Sequence, residues 1–310
     1  MPVSAAYLAV VLIWSTTPLG IVWSSESVNP TLAVLARMVI AVVIGWLILQ
    51  ARNINLPWHK SALRLYTFSA LGIYGGMLFA YLAAMTISSG MMSLIFGLAP
   101  IFSAVFSQKI LAEPRLSVMK KLSMIVSLMG LAIVCSDNLT LDNKSQWGLL
   151  YILMAVIFFS LSGVLVKSVK ININPVATTV GSLITSLPMF AMTWLIFDGG
   201  LPFEQWQARS LWAILYLGVF GSLLGFVAYF YILQKLKAST VALITMMTPV
   251  LAMSLGVVLN GEMVSLPLIV GAIFVISGLA IYHWGDQWLS PNPSQLDLKG
   301  VGNSKDKLLD

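Results

Sequence analysis

Few side chains in this 310-residue sequence are equipped for chemistry, and their spacing limits what they could do. His59 and His283 lie far apart with no carboxylate at a ligand spacing from either, and the single cysteine, Cys135, has no intrachain disulfide partner. No metal and no cofactor is expected. No Asp or Glu lies in the middle of an apolar stretch, so a buried nucleophile, acid and base set is missing and an enzyme is not expected. The candidates that remain belong to binding. They are one arginine well inside an apolar run, Arg37, several hydroxyls and aromatic rings, and two glutamates that each follow a proline by thirteen residues, Pro100 to Glu113 and Pro249 to Glu262.

The elements that must position them follow from composition. The chain is 59% hydrophobic and 9% charged, against about a quarter charged in an ordinary soluble domain, so its solvent is lipid. The net charge of +6 does not indicate nucleic acid, because the basic residues are scattered between apolar runs rather than clustered. Taking about twenty apolar residues per crossing, the sequence predicts an all-α polytopic membrane protein. Its ten transmembrane helices fall near 4–23, 31–50, 65–86, 89–111, 118–135, 147–166, 174–197, 210–233, 238–260 and 265–284. Residues 285–310 are polar and read as a disordered cytoplasmic tail. Lys and Arg concentrate in alternate loops, among them Arg52, Lys120, Lys167 and Lys235, while the other side holds Lys144 and Arg209. That asymmetry places both termini in the cytoplasm.

The chain also copies itself. LGIYG at 71–75 pairs with LGVFG at 217–221, the two proline-to-glutamate frames pair, and GLAI at 130–133 pairs with GLAI at 278–281, all at separations of 146 to 149 residues. The expected division is therefore a first repeat over 4–135 and a second over 147–284, five helices each. An odd number of crossings makes the second copy inverted, an architecture of secondary carriers with a midplane site between the halves.

Pro100 and Pro249 fall near mid-membrane, and each deprives the carbonyl four residues back, of Phe96 or Thr245, of its helical partner. Freed backbone must face protein or a watery cavity, so these kinks should point inward. At helical spacing Ser93, Phe96, Ser103 and Ser107 share the Pro100 stripe, where close helix packing is the competing reading. Pro18, beside Trp14 and Thr17, repeats the arrangement in the first helix. Arg37 could snorkel to the interface, pair with a substrate anion, or donate to helix-end carbonyls. Tyr74 and Tyr81 share one helix face and Phe226 and Tyr229 another, where rings would either pack or line a cavity for an amphipathic or aromatic solute.

These residues resemble the drug/metabolite transporter superfamily in its ten-helix EamA branch. The resemblance rests on IWSTTP at 13–18, the lone Arg37, the frames ending in Glu113 and Glu262, and the two GLAI patterns, and it covers residues 4–284. It implies a bacterial inner-membrane carrier of amino acids, other small metabolites, nucleotide precursors or drugs, with a small-molecule substrate, the lipid bilayer and at most a second copy as partners. A departure is Ala112 before Glu113, where the second frame has Gly261, the residue more usual in the family. A non-transporting membrane partner or sensor is the rival class.

Overall fold

The computed structural model describes residues 2–113, 116–139, 143–236, 241 and 244–289, with the side chains of 135–139, 143–144, 245–246 and 287–289 outside the description. The described residues are helical throughout their ordered elements. They form α1 (Val3–Ser24), α2 (Pro30–Ala51), α3 (Lys60–Ala83), α4 (Ser89–Phe96), α5 (Ala99–Ile110), α6 (Val118–Leu139), α7 (Asn143–Ser168), α8 (Pro175–Phe197), α9 (Ala208–Tyr216), α10 (Gly225–Lys235), α11 (Ile244–Asn260) and α12 (Leu266–Leu289). Among the described residues, eight helical segments are long and apolar enough to cross a membrane and Met247–Asn260 is a shorter apolar helix, whereas the expected span at 118–135 is not one of the eight. Large apolar side chains such as Leu12 on α1, Val43 and Leu47 on α2 and Leu195 and Ile196 on α8 face outward, as a lipid-bathed perimeter requires. The tail expected over 285–310 lies mostly outside the described residues; its first part continues α12 to Leu289.

Two helices begin at matching local signals. Asn29 accepts a hydrogen bond from Thr31 N with Pro30 in the first turn, and Asn174 accepts one from Val176 N with Pro175 in the first turn. An Asx cap followed by proline satisfies an orphan amide and presets the first helical φ. The two Asn-Pro starts stand 145 residues apart, a further repeat signal beyond the three read above.

Two expected spans differ from the structure. The span at 89–111 is broken into α4 and α5 at Gly97 and Leu98, with tightened bonds from Leu98 N to Ile95 O and from Ile101 N to Leu98 O, both 3.0 Å. Pro100, in the first turn of α5, has no N–H to continue the ladder. The Ser160 hydroxyl on α7 donates to Ala99 O at 3.1 Å, so exposed backbone at the break is met by protein. The span at 210–233 is interrupted by a π-helical segment, Leu217–Leu224, between α9 and α10. This wider turn carries Gly218 and Gly221 against α2, where a Cβ on Gly218 would stand 2.8 Å from Ile40. α1, by contrast, stays helical through Pro18, with the Thr16 and Thr17 hydroxyls both donating to Ile13 O at 2.8 and 2.7 Å.

The packing is paired. α2 lies on α8, and α6 lies on α12, where a Cβ on Gly130 would come within 2.7 Å of Gly271 O. α1 packs on α10 and α11, and α7 packs on α3, α4 and α5. Both proline-to-glutamate frames end alike. Ala112 and Gly261 are left-handed, with φ of 52° and 63°, and Glu113 N and Glu262 N each reach back to a carbonyl six residues earlier, that of Ser107 or Gly256. Gly261 adopts this conformation without strain, whereas Ala112 carries a Cβ penalty. Ala112→Gly is therefore expected to stabilise the protein by about 1 kcal/mol, read as a raised unfolding temperature in detergent, while Gly261→Ala lowers it.

Candidate functional site

The break between α4 and α5 opens one side of a cavity of about 500 Å³. Pro100, Ser103 and Ser107 of α5 form one wall, Gly163, Val164 and Lys167 of α7 another, and Leu233 of α10 and Tyr282 of α12 complete it. Its mouth carries Glu113, Lys120 and Lys167, with Lys120 Nζ over the Tyr282 ring at 5.5 Å. A chamber with cations and a carboxylate at its entrance and rings at its depth suits a solute that is polar at one end and apolar at the other.

The floor is an aromatic cluster. Trp14 of α1 lies 5.6 Å from Phe159 of α7 and 5.2 Å from Tyr229 of α10, and Phe159 and Tyr229 are 5.7 Å apart. Gly163 admits the Tyr229 hydroxyl, which would sit 3.3 Å from any Cβ there. Behind this floor lies a second, smaller cavity of about 80 Å³, sharing Trp14 and Phe159 and lined also by Thr17, Pro18, Ser93, Phe96, Gly221 and Thr248. Trp14 and Phe159 thus stand between a larger, more polar cavity and a smaller, largely apolar one.

Elsewhere, polar contacts tie together distant parts of the chain. Glu262, just past α11, accepts backbone N–H bonds from Ser89 and Gly90 at the start of α4, at 3.2 and 3.3 Å. A carboxylate on the first amides of a helix is favoured by both hydrogen bonding and the helix dipole. Asn260 donates to Glu262 at 3.2 Å and accepts from Trp23 Nε1 at 2.8 Å and from Arg209 at 3.1 Å. Arg209 also pairs with Glu26 at 3.4 Å and lies over the Trp23 ring at 4.4 Å. Residues up to 90 are joined here to residues from 209 onward.

The residues singled out from sequence separate into groups. Trp14 borders both cavities, Pro100 and Tyr229 line the large one, and Thr17, Pro18, Ser93 and Phe96 line the small one. Arg37 is fully buried rather than at an interface, and its Nε donates to Ser222 Oγ of the π-helical segment at 2.9 Å. Snorkelling is thereby excluded. Tyr74 lies in neither cavity; its hydroxyl meets that of Thr193 at 2.6 Å and its ring packs on Phe190, both on α8. Tyr81 is buried beneath Arg37 and accepts from Ser24 Oγ at 3.3 Å. Phe226 borders only a small void beside Tyr229 and Phe230. Pro249 is within α11 but lines neither cavity, which Thr248 reaches instead, and the Thr245 side chain lies outside the described residues.

Sequence reading missed Phe159, Lys120, Lys167 and Tyr282 as lining residues. For Phe159 a signal existed: it stands 145 residues after Trp14, the same separation as Pro30 and Pro175. The lysines were read as markers of orientation alone.

With this geometry in view, comparison with known proteins is informative. The model of the EamA-like transporter family matches residues 2–136 and again 146–283. The uncharacterized transporter YoaV of Bacillus subtilis is 26% identical over 278 residues, spanning 88% of this chain and 93% of its own. Protein PagO of Salmonella typhimurium is 22% identical, spanning 88% and 92%, and an uncharacterized transporter of Archaeoglobus fulgidus is 26% identical over 68% of this chain and 75% of its own. One solved crystal structure superimposes with a TM-score of 0.64 at 19% identity, over 90% of this chain and 96% of that one, a likeness of fold. The chain belongs to the EamA-like transporter family, and its apolar helices are those of a multi-pass membrane transporter.

Proposed function

We propose that the protein is a secondary carrier, an exporter or facilitator, that moves small amphipathic metabolites such as amino acids across the bacterial inner membrane by alternating access. The observation that carries this reading is the asymmetry of the central path. A chamber runs in from the lysine-bearing end to the Trp14, Phe159 and Tyr229 floor, while Glu262, Asn260 and Arg209 close the opposite end. By the excess of Lys and Arg the open end is cytoplasmic, so the conformation is inward-open with both termini inside.

The exchange of states rests on two inverted five-helix halves, 4–135 and 147–284. The pairing supports this: α1 against α10 and α11 is the counterpart of α7 against α3, α4 and α5, and α2 against α8 and α6 against α12 are each their own counterpart. So do the matched Asn-Pro caps and the matched left-handed turns before Glu113 and Glu262. The α4 to α5 break supplies a hinge at the membrane midplane. No mid-span Asp or Glu is available as a proton relay, which favours movement down the solute's own gradient. The aromatic floor also suits purine-like rings or planar drugs, the second reading.

Uptake of radiolabelled phenylalanine, alanine, adenosine and a cationic dye into proteoliposomes tests the function; unchanged solutes should equilibrate faster than in empty vesicles. Retention by none of them, with a protein that binds them all the same, would identify a non-transporting sensor. Trp14→Ala or Phe159→Ala should raise the KM for ring-bearing solutes about tenfold, by loss of ring contact and buried area, and leave alanine flux little altered. A separate measurement addresses the closed end. In a Cys135→Ala background, Ser93→Cys should resist an impermeant maleimide from the Glu262 side, and adding Glu262→Gln should increase its labelling roughly tenfold, the worth of a charge-assisted hydrogen-bond pair. Unchanged labelling would dissociate Glu262 from gating.

A further inference from the structure

Arg37 is the largest fully buried side chain among the described residues, and only part of it is satisfied. Nε donates to Ser222, but Nη1 and Nη2 have no hydrogen-bond partner, and the one ion pair among the described residues, Arg209 with Glu26, lies elsewhere. Tyr81 lends the face of its ring at 5.8 Å, a weak compensation for a cation out of water. A buried charge without a counter-charge costs several kcal/mol. An anion would supply the missing partner.

The unpaired end does not itself line the small cavity but lies behind its wall at Gly221. Nη2 would be 2.9 Å from a Cβ placed on Gly221, and Thr17 Oγ1 3.7 Å from the same point. Gly221 and Thr17 both line the cavity behind the aromatic floor. The absent side chain at 221 is therefore what keeps the guanidinium within reach of that space. The π-helical segment contributes both parts of the arrangement, turning Gly221 toward the cavity and holding Nε through Ser222.

We infer that the small cavity is a carboxylate subsite, in which Arg37 Nη1 and Nη2 receive the carboxylate of the transported solute while Trp14, Phe96 and Phe159 cover its apolar part. The guanidinium fork matches a carboxylate with two parallel N–H···O bonds, whereas an ammonium or hydroxyl offers no such match. This rests on the carrier reading and narrows it, since solutes with a carboxylate would be selected over amines and alcohols of the same shape.

Calorimetric titration of the full-length purified protein with phenylacetate, 2-phenylethanol and phenethylamine tests the assignment. The wild type should bind phenylacetate at least about tenfold more tightly than the other two, the lower range for a hydrogen bond to a buried charge. Arg37→Gln should abolish that preference while leaving 2-phenylethanol affinity in place. Gly221→Ala, which interposes a methyl group before Nη2 without removing the charge, should reduce it as well and guards against a misfolded arginine variant. A wild type that binds phenylacetate no more tightly than 2-phenylethanol, or a preference that survives both substitutions, would overturn the subsite. Proteoliposomes keep the two readings apart: Arg37-dependent binding of phenylacetate without flux would refute the carrier, and flux indifferent to the carboxylate would refute the subsite alone.

Discussion

Lipid cannot hydrogen-bond, and the arrangement of this protein follows from that constraint. Every carbonyl released by a proline and every charge drawn from water has to be met by protein or by a cavity. The helices are consequently regular where they face outward and irregular where they face one another. The α4 to α5 break receives the Ser160 hydroxyl on Ala99 O, the turn before Pro18 is lined by threonine hydroxyls, and the π-helical segment lies against α2 and α1. Irregular backbone thus reaches the cavities at Pro100 and at Gly221.

The two ends of the central path are unequal, although the sequence motifs that finish them are alike. Glu262 is engaged with the first amides of α4, and Glu113, after the same left-handed turn, faces the open chamber with Lys120 and Lys167. One motif in two environments is what a pair of exchangeable closures requires. In the proposed cycle each glutamate closes its own end in turn.

Some of this was written in the residue pattern. Apolar length predicted helices in the right regions, and the prolines at 18 and 100 marked two places that border a cavity. Trp14, Thr17, Ser93, Phe96 and Tyr229 were legible because polar or ring-bearing positions in an apolar helix need a reason to be there. Tyr74 and Tyr81 satisfied the same criterion, yet they line neither cavity and their hydroxyls meet Thr193 and Ser24. Periodicity shows which residues share a helix face, but not which neighbour that face meets.

Sequence alone therefore determined the solvent, the helices, the self-similarity and the residues unusual enough to matter, since these depend on composition and on spacing along one chain. Tertiary structure decided what those residues do. Only packing could bury Arg37 against Ser222, 185 residues away, set Phe159 against Trp14 as a floor, widen the turn at 217–224, and close one end while leaving the other open. Each of these is a relation between helices, fixed by which surfaces exclude lipid from one another, and no local pattern encodes it.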